Sequence, residues 1–438
     1  ARGSFGTRVM SVAIEQRLIH SSSNVSNNSG PKETNNSFDD SSTVNVEDES
    51  PPLRCFIVPM ACVFQGYAMY VVLQRFLKDE LDASDTKHSQ AREHLFTLAT
   101  TFMHWGKLVS RVGHDVVLAW ASSWLRVVIA MLIVSISALI PSVVVWGWSS
   151  RWMGWAFLHF GLLGIGVGIF ESTFLSVISP LGKLTKAWAI MGCPLGLAMV
   201  DIIGQLLTLK LSPVWLYWYI LMCMPFGAYV FVSYAPRAAG IAHRQLHLGK
   251  TFLEWRRALV PMIAFFIAKF VSSMVMENTP GWFGVYNAPS VPFWSPKSDA
   301  HLMNKDLYFV LIYVVVLLGD GISRRVVYLF SLNTLRQNVV LLILAIVCSV
   351  VGFALEAFII AAVTIVAAFL AFWGNGLGYA VSTKFIDRYI PPEYNRSVYS
   401  LWCMVGDAGS IVGSSMVDVV NSWFCRDTYL YECTLRSA

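Results

Sequence analysis

The chain of 438 residues is 55% hydrophobic and only 13% charged, whereas about a quarter of the residues in a soluble domain carry charge. The net charge is a modest +5, and the basic residues lie between apolar runs, so the charge pattern does not indicate a nucleic acid partner. Repeated apolar runs of about 20 residues predict instead a polytopic helical membrane protein that lies in the lipid bilayer.

The polar segment at 1–52 is rich in Ser, Asn, Asp and Glu. Such a composition cannot bury a core, so we predict a disordered tail there. No cleavable signal peptide is visible, because the first apolar run begins only near Cys55 and is long enough to be a membrane span.

Six spans are predicted in the first half of the chain, where they form an N-terminal bundle at 53–234. We place them at 55–77, 95–121, 126–145, 161–179, 187–208 and 214–234. A basic loop at 235–257 follows this bundle and contains Arg, His and Lys residues.

Five further spans form a predicted C-terminal bundle at 258–422, which ends in a short tail at 423–438. We place them at 258–276, 306–322, 398–420 and within 339–383, a run divided near Glu356 into two spans. This layout is typical of transporters whose two bundles surround a central cavity and open it to alternate sides of the membrane. The sequence therefore predicts an all-α fold of about 11 transmembrane helices in two bundles.

The loops that follow the even-numbered spans contain most of the basic residues. Because cytoplasmic loops carry an excess of Lys and Arg, we predict a cytoplasmic N-terminus and a C-terminus on the opposite side. Cys425 and Cys433 would then face an oxidising space, where a disulfide and two free thiols are the two open outcomes.

Glu171 lies in the middle of the apolar fourth span, which also contains Gly161, Gly164 and Gly168. These glycines are spaced by three and four residues and share one helical face, where another helix can approach closely. An ionised group at this depth costs at least ~3 kcal/mol on insertion scales, so Glu171 is expected to face protein or water. It is either a functional carboxylate or a structural brace paired to a neighbouring helix.

Other charged residues within the spans are further candidates for a solute or ion pathway, and pairing between opposite charges is the expectation for all of them. A cationic partner from the second span would make Glu171 an ion-paired residue, whereas an unpaired Glu171 would favour proton coupling. Asp201 and Glu356 are also predicted to face inward. The pathway candidates are Glu171, Lys107, Arg111, Lys269, Asp320, Arg324 and Asp407.

The sequence contains no Walker-type phosphate loop, no HExxH motif and no paired CxxC motif. We therefore expect neither an ATP-driven pump nor an enzyme, and no metal or cofactor. The partner that we expect is a small-molecule solute. Protons are a second partner if one of the carboxylates exchanges a proton.

The segment 106–115, Gly-Lys-Leu-Val-Ser-Arg-Val-Gly-His-Asp, resembles the loop signature between the second and third spans of the major facilitator superfamily. Ser110 stands where the signature usually has an acidic residue. The segment 319–325, Gly-Asp-Gly-Ile-Ser-Arg-Arg, is similar to a counterpart in the second half. The resemblance implies a major-facilitator-like fold; a basic span end facing the cytoplasm is the alternative interpretation.

Several stretches together resemble battenin, a family of lysosomal membrane proteins. The strongest is 168–176, Gly-Ile-Phe-Glu-Ser-Thr-Phe-Leu-Ser, and weaker similarity covers patches between 55 and 425. The resemblance implies a facilitator-like fold in a lysosomal or vacuolar membrane. It also implies a part in lysosomal pH and in the handling of basic amino acids or glycerophosphodiesters, with Glu171 as the first residue to carry over.

Two other functions stay open. Asp320, Arg324 and the Gly-Tyr pair at 378–379 are similar to features of equilibrative nucleoside transporters, although the first span lacks their Pro-Trp-Asn signature. A trafficking scaffold that transports nothing is the third hypothesis, with the acidic tail and the basic 235–257 loop as its partner-binding segments.

Overall fold

The computed structural model describes residues 53–71, 73–81, 89–204, 207, 211–236, 255–277, 290–294, 302–356, 358 and 360–427. The predicted tail at 1–52, most of the basic loop at 235–257 and the last residues of the tail at 423–438 lie outside these ranges. The same holds for the proposed pairing of the Cys425 and Cys433 side chains.

Seven helices form the first half of the described chain. Two of them, α4 and α6, continue into π-helical turns at Ile140–Val145 and Met199–Gly204. The helices are α1 Ile57–Val71, α2 Gln74–Glu80, α3 Ser89–Val117, α4 Ser123–Leu139, α5 Gly154–Ile178, α6 Lys183–Ala198 and α7 Val214–Tyr234.

Five helices form the second half: α8 Leu259–Glu277, α9 Lys305–Leu329, α10 Leu335–Glu356, α11 Ala361–Tyr389 and α12 Pro392–Asp427. Two short strands, β1 Ser290–Pro292 and β2 Leu302–Asn304, pair antiparallel between α8 and α9. They are the exception, within the described residues, to an otherwise helical fold.

Seven of the described helical segments are long and apolar enough to cross a membrane, from Ser123–Val145 to Ala361–Tyr389. Others are shorter, such as the apolar part of α8 at Leu259–Val275, or carry several charged residues, such as α3 and α12. The chain is therefore a multi-pass membrane protein, as predicted, while the number of 11 spans stays a prediction.

The division of the 339–383 run near Glu356 is confirmed, because α10 ends at that residue. The predicted end of the eighth span at 322 is wrong, because α9 continues to Leu329. Gly319 and Gly321 lie inside this helix, and Gly319 allows close packing. A side chain at Gly319 would meet the backbone of α11, and one at Gly321 would meet Met191 of α6.

The helices pack as two groups. In the first group α5 packs against α3 and α4, and α1 packs against α6 and α7. In the second group α11 packs against α8, α9 and α10, and α8 also packs along α12. Contacts between the groups are made by α6 with α9 and by α12 with α3 and α5.

The glycine face predicted on α5 is the surface where α3 approaches. A Cβ atom at Gly164 would collide with the backbone of Met103, and one at Gly168 would collide with Ser110 and with the Lys107 carbonyl. This close approach brings the charged side chains of α3 to the level of Glu171.

Candidate functional site

Glu171 is buried on α5 and is bound from both helix groups. Its Oε2 atom forms an ion pair with the Arg111 guanidinium of α3. Its Oε1 atom accepts a hydrogen bond of 3.0 Å from the Tyr379 hydroxyl of α11. The cationic partner expected from the second span is thus present, which makes Glu171 an ion-paired carboxylate in this conformation.

Asp407 of α12 is the second carboxylate bound by α3. Arg111 Nε donates to Asp407 Oδ2 at 2.9 Å, and Lys107 Nζ lies 2.5 Å from Asp407 Oδ1. Lys107 and Arg111 can act together because a spacing of four residues places them on one helical face. We call the set Lys107, Arg111, Glu171, Asp407 and Tyr379 the charged centre.

Asp320 and Arg324 form a neighbouring pair on α9, with 2.9 Å between Asp320 Oδ2 and Arg324 Nη2. Asn375 of α11 donates to Asp320 Oδ1 at 3.0 Å. The Arg324 guanidinium lies 4.1 Å from the centroid of the Tyr379 ring. Tyr379 therefore joins both clusters, through its hydroxyl to Glu171 and through its ring face to Arg324.

Arg324 also reaches the first helix group through a carbonyl that a proline leaves free. Pro194 lies inside α6 and has no N–H, so the carbonyl of Ile190, four residues earlier, lacks its usual helical donor. Arg324 Nη1 donates to this carbonyl at 3.2 Å. The proline thus creates an acceptor between α6 and α9.

Lys269 of α8 is partly buried close to both clusters. Its Nζ atom lies 5.5 Å from the centroid of the Phe265 ring, and it interacts electrostatically with Lys107, Glu171 and Arg324. No carboxylate oxygen of the described residues lies within 4.0 Å of Lys269 Nζ, the distance that an ion pair requires. The two clusters and Lys269 thus contain four cations but three carboxylates, which leaves one positive charge in excess.

All seven pathway candidates lie in or beside these clusters. Four belong to the charged centre, two form the α9 pair, and Lys269 interacts electrostatically with members of both. Asn375 was not a sequence candidate, and Tyr379 was noted only for its similarity to a feature of nucleoside transporters. The segment 106–115 lies within α3, in agreement with the predicted span at 95–121.

A second set of contacts joins the helix groups at the end that holds the α3–α4, α5–α6 and α11–α12 turns. Asp115 of α3 pairs with Arg126 of α4 at 2.5 Å and with Arg396 of α12 at 3.1 Å. Lys186 of α6 pairs with Asp387 of α11 at 2.5 Å. We call the contacts between the groups, Asp115 with Arg396 and Lys186 with Asp387, the end links.

Within the described ranges, no group of three or more His, Cys, Asp and Glu side chains could hold a metal ion. The charged centre supplies ion pairs and hydrogen bonds, and Lys269 beside it supplies an excess cation. These groups can bind a polar or charged solute and can exchange one partner for another.

The fold is that of major facilitator transporters. The E. coli fucose:proton symporter FucP aligns over 85% of this chain and 93% of its own length, with a TM-score of 0.56 and 13% sequence identity. The human organic anion transporter MFSD10 aligns over 86% of this chain and 95% of its own, with a TM-score of 0.61 and 12% identity. No protein-family model and no curated protein sequence match the chain.

Proposed function

We propose that this protein is a battenin-like secondary transporter that moves a small solute across a lysosomal or vacuolar membrane. The observation that carries the proposal is the charged centre, in which buried side chains of α3 and α5 bind Asp407 and Tyr379 of the other helix group. The fold supports transport by motion of the two groups, and the Glu171 pattern at 168–176 supports the battenin likeness.

Motion of one group against the other must break the bonds of Arg111 and Lys107 to Asp407 and that of Tyr379 to Glu171. Buried charges left without partners are costly, so a solute that supplies replacement partners would lower the barrier to this motion. The charged centre would then bind the solute and also couple its binding to opening.

The excess positive charge favours an anionic solute. An anion bound near Lys269 would neutralise it, whereas a basic amino acid would add a further positive charge to a site of low dielectric constant. Of the solutes implied by the battenin resemblance, glycerophosphodiesters therefore fit better than basic amino acids.

The membrane and the orientation are parts of the same proposal. The battenin resemblance supports a lysosomal or vacuolar membrane. The distribution of Lys and Arg among the loops supports a cytoplasmic N-terminus, which would place the end links on the cytoplasmic side.

Flux into sealed proteoliposomes tests the proposal, with radiolabelled glycerophosphodiesters, basic amino acids and nucleosides as probes. We expect the full-length protein to move a glycerophosphodiester faster than arginine. Lys269→Gln should reduce this flux at least tenfold, and Lys269→Arg should retain most of it, because only the charge is needed. Glu171→Gln should also reduce flux, because Arg111 would then have Asp407 as its remaining carboxylate.

Two results would contradict the proposal. Faster flux of arginine would exclude the preference for anions. If no probe moves and Glu171→Gln changes nothing, the protein is not a transporter of these solutes, and the scaffold hypothesis gains support.

An equilibrative nucleoside facilitator is the second candidate, because Asp320 and Arg324 lie buried at the centre rather than at a span end. Nucleoside flux that is insensitive to Lys269→Gln and abolished by Asp320→Asn would favour it.

A further inference from the structure

Asp201 is a buried carboxylate that differs from those of the two clusters. It lies in the π-helical turn Met199–Gly204 and is 5% exposed. Its Oδ1 atom has no hydrogen-bond partner, and none of the described Lys, Arg or His side chains forms an ion pair with it. Glu171, Asp320 and Asp407, by contrast, each have a cation within ion-pair distance.

An ionised carboxylate at membrane depth without a cation is costly, and the cost disappears when the group binds a proton. The surroundings of the π-helical turn agree with a neutral group. Gln65 of α1 donates through Nε2 to Met199 Sδ at 3.3 Å and to the Tyr219 hydroxyl at 3.1 Å, while its own Oε1 is buried without a donor. The site therefore has unfilled acceptors, and a protonated carboxyl supplies a donor.

The elements packed against the turn do not provide a compensating charge. The turn packs against α1 and α9, continues α6 and also lies against α7, where Gly204 is next to Leu216. No charged residue occurs in α1. Lys186 of α6 and Arg324 of α9 have carboxylate partners, and Lys183 is the first residue of α6. The Arg325 guanidinium of α9 lies over the ring of Trp188, which is 13 residues before Asp201. Apart from Asp320, which pairs with Arg324, the other titratable side chains described on these helices are tyrosines and cysteines, namely Cys62, Tyr67, Tyr70, Cys193, Tyr217, Tyr219, Cys223, Tyr229, Tyr234, Tyr308, Tyr313 and Tyr328.

The position of Asp201 suits exchange of the proton. The π-helical turn lies at the contact of α6 with α9, which joins the two helix groups. π-Helical turns are frequent at functional sites because they interrupt the regular hydrogen bonding of a helix. When α6 and α9 separate, water can reach the turn.

We propose that Asp201 is a proton-binding site: it holds one proton in the conformation described and releases it when α6 and α9 separate. On release the carboxyl O–H bond breaks, the electron pair stays on the carboxylate, and a water molecule takes the proton. The proposal rests on the proposed transport function for its coupling role, and it separates the roles of the buried carboxylates. Glu171 and Asp407 hold cations of the charged centre, whereas Asp201 carries the coupling ion.

Infrared spectroscopy of the purified full-length protein in lipid vesicles tests the protonation state without any solute. At neutral pH the wild-type protein should show a carbonyl band of a protonated carboxyl group that shifts in D₂O. Asp201→Asn should weaken this band, to which buried Glu356 can also contribute, and Glu171→Gln should leave it unchanged, because Glu171 is paired with Arg111. An unchanged band in Asp201→Asn would overturn the proposal.

Thermal unfolding covers the case of a variant that does not fold. Asn is close in shape to a neutral Asp, so Asp201→Asn should unfold at a temperature near that of the wild type. Failure to fold would show that the ionised form is needed for structure, which also overturns the proposal.

The coupling role is tested with whichever probe of the flux assay the wild type moves. An inward proton gradient should drive its accumulation in wild-type vesicles. Asp201→Asn should exchange the probe across the membrane without a gradient but should lose this accumulation; retained accumulation would exclude Asp201 as the coupling site. If the wild type moves no probe, the proposed function fails, and the infrared result still decides whether Asp201 holds a proton.

Discussion

The guanidinium of Arg111 binds residues of two other helices, α5 and α12. It is fully buried, and its nitrogens contact Glu171, the Gly168 carbonyl at 3.1 Å and Asp407. Arginine suits this position because its planar fork presents several donors in fixed directions, whereas lysine offers a single charged nitrogen.

Arg111→Gln should lower the free energy of unfolding by about 3–5 kcal/mol, because it leaves two buried carboxylates with only Lys107 nearby. Thermal unfolding in detergent measures the effect. Arg92→Gln on the same helix is the matched control, since its hydrogen bond to the Arg151 carbonyl is exposed. We expect the control to change stability by no more than about 0.5 kcal/mol. Equal losses in the two variants would contradict the role assigned to Arg111.

Helix α5 positions the charged centre through its glycines. Its glycines let α3 approach, and the approach carries Lys107 and Arg111 to Glu171 and Asp407. The five glycine positions on this helix are not equivalent, however. A Cβ at Gly164 would overlap the backbone of Met103, whereas one at Gly161 would make an ordinary contact of 3.5 Å with Phe102.

Gly164→Ala should therefore destabilise the protein by about 1–3 kcal/mol, because the backbone of α3 must move to admit the methyl group. Gly161→Ala, one turn earlier on the same helix, should be tolerated and provides the control for helix propensity. Unfolding temperatures in the same detergent check both. A tolerated Gly164→Ala would mean that α3 and α5 can separate without loss, contrary to the close packing described.

On the scale of the whole molecule, the two helix groups meet at two levels. The charged centre joins them at membrane depth, and the end links join them near the turns. Asp387 and Arg396 are more exposed than the groups of the charged centre, so the end links should break at lower cost.

The double variant Asp115→Asn with Asp387→Asn should speed amide hydrogen exchange at the start of α6 and of α12. A tenfold increase corresponds to about 1.4 kcal/mol of lost stabilisation, which is the scale that we expect. Mass spectrometry of the peptides that cover these segments measures it. Asp79→Asn, in an exposed position on α2, is the control and should leave hydrogen exchange in both segments unchanged. An unchanged exchange rate in the double variant would mean that the end links do not hold the groups together.

Much of the architecture follows from the spacing of apolar residues, because a helix in a bilayer must be long and apolar. Local pairs were also predictable: Asp320 and Arg324 are four residues apart and meet on one helix face. The contact of Arg111 with Asp407 was not predictable, since it joins residues 296 positions apart and depends on how α3 packs against α12. Sequence spacing could not show that Pro194 provides an acceptor for Arg324 either, because the donor comes from another helix.

Two buried cysteines, Cys403 and Cys193, can be used to measure how often the two helix groups separate. Cys403 of α12 is buried and interacts electrostatically with Arg111 and Asp407, and buried Cys193 of α6 is close to Arg324. A water-soluble alkylating reagent can reach these thiols only while the helix groups are apart. The alkylation rate therefore reports how often the groups open. The added bulk should prevent each alkylated molecule from closing again, so transport in such a reagent should stop after each molecule has opened and reacted.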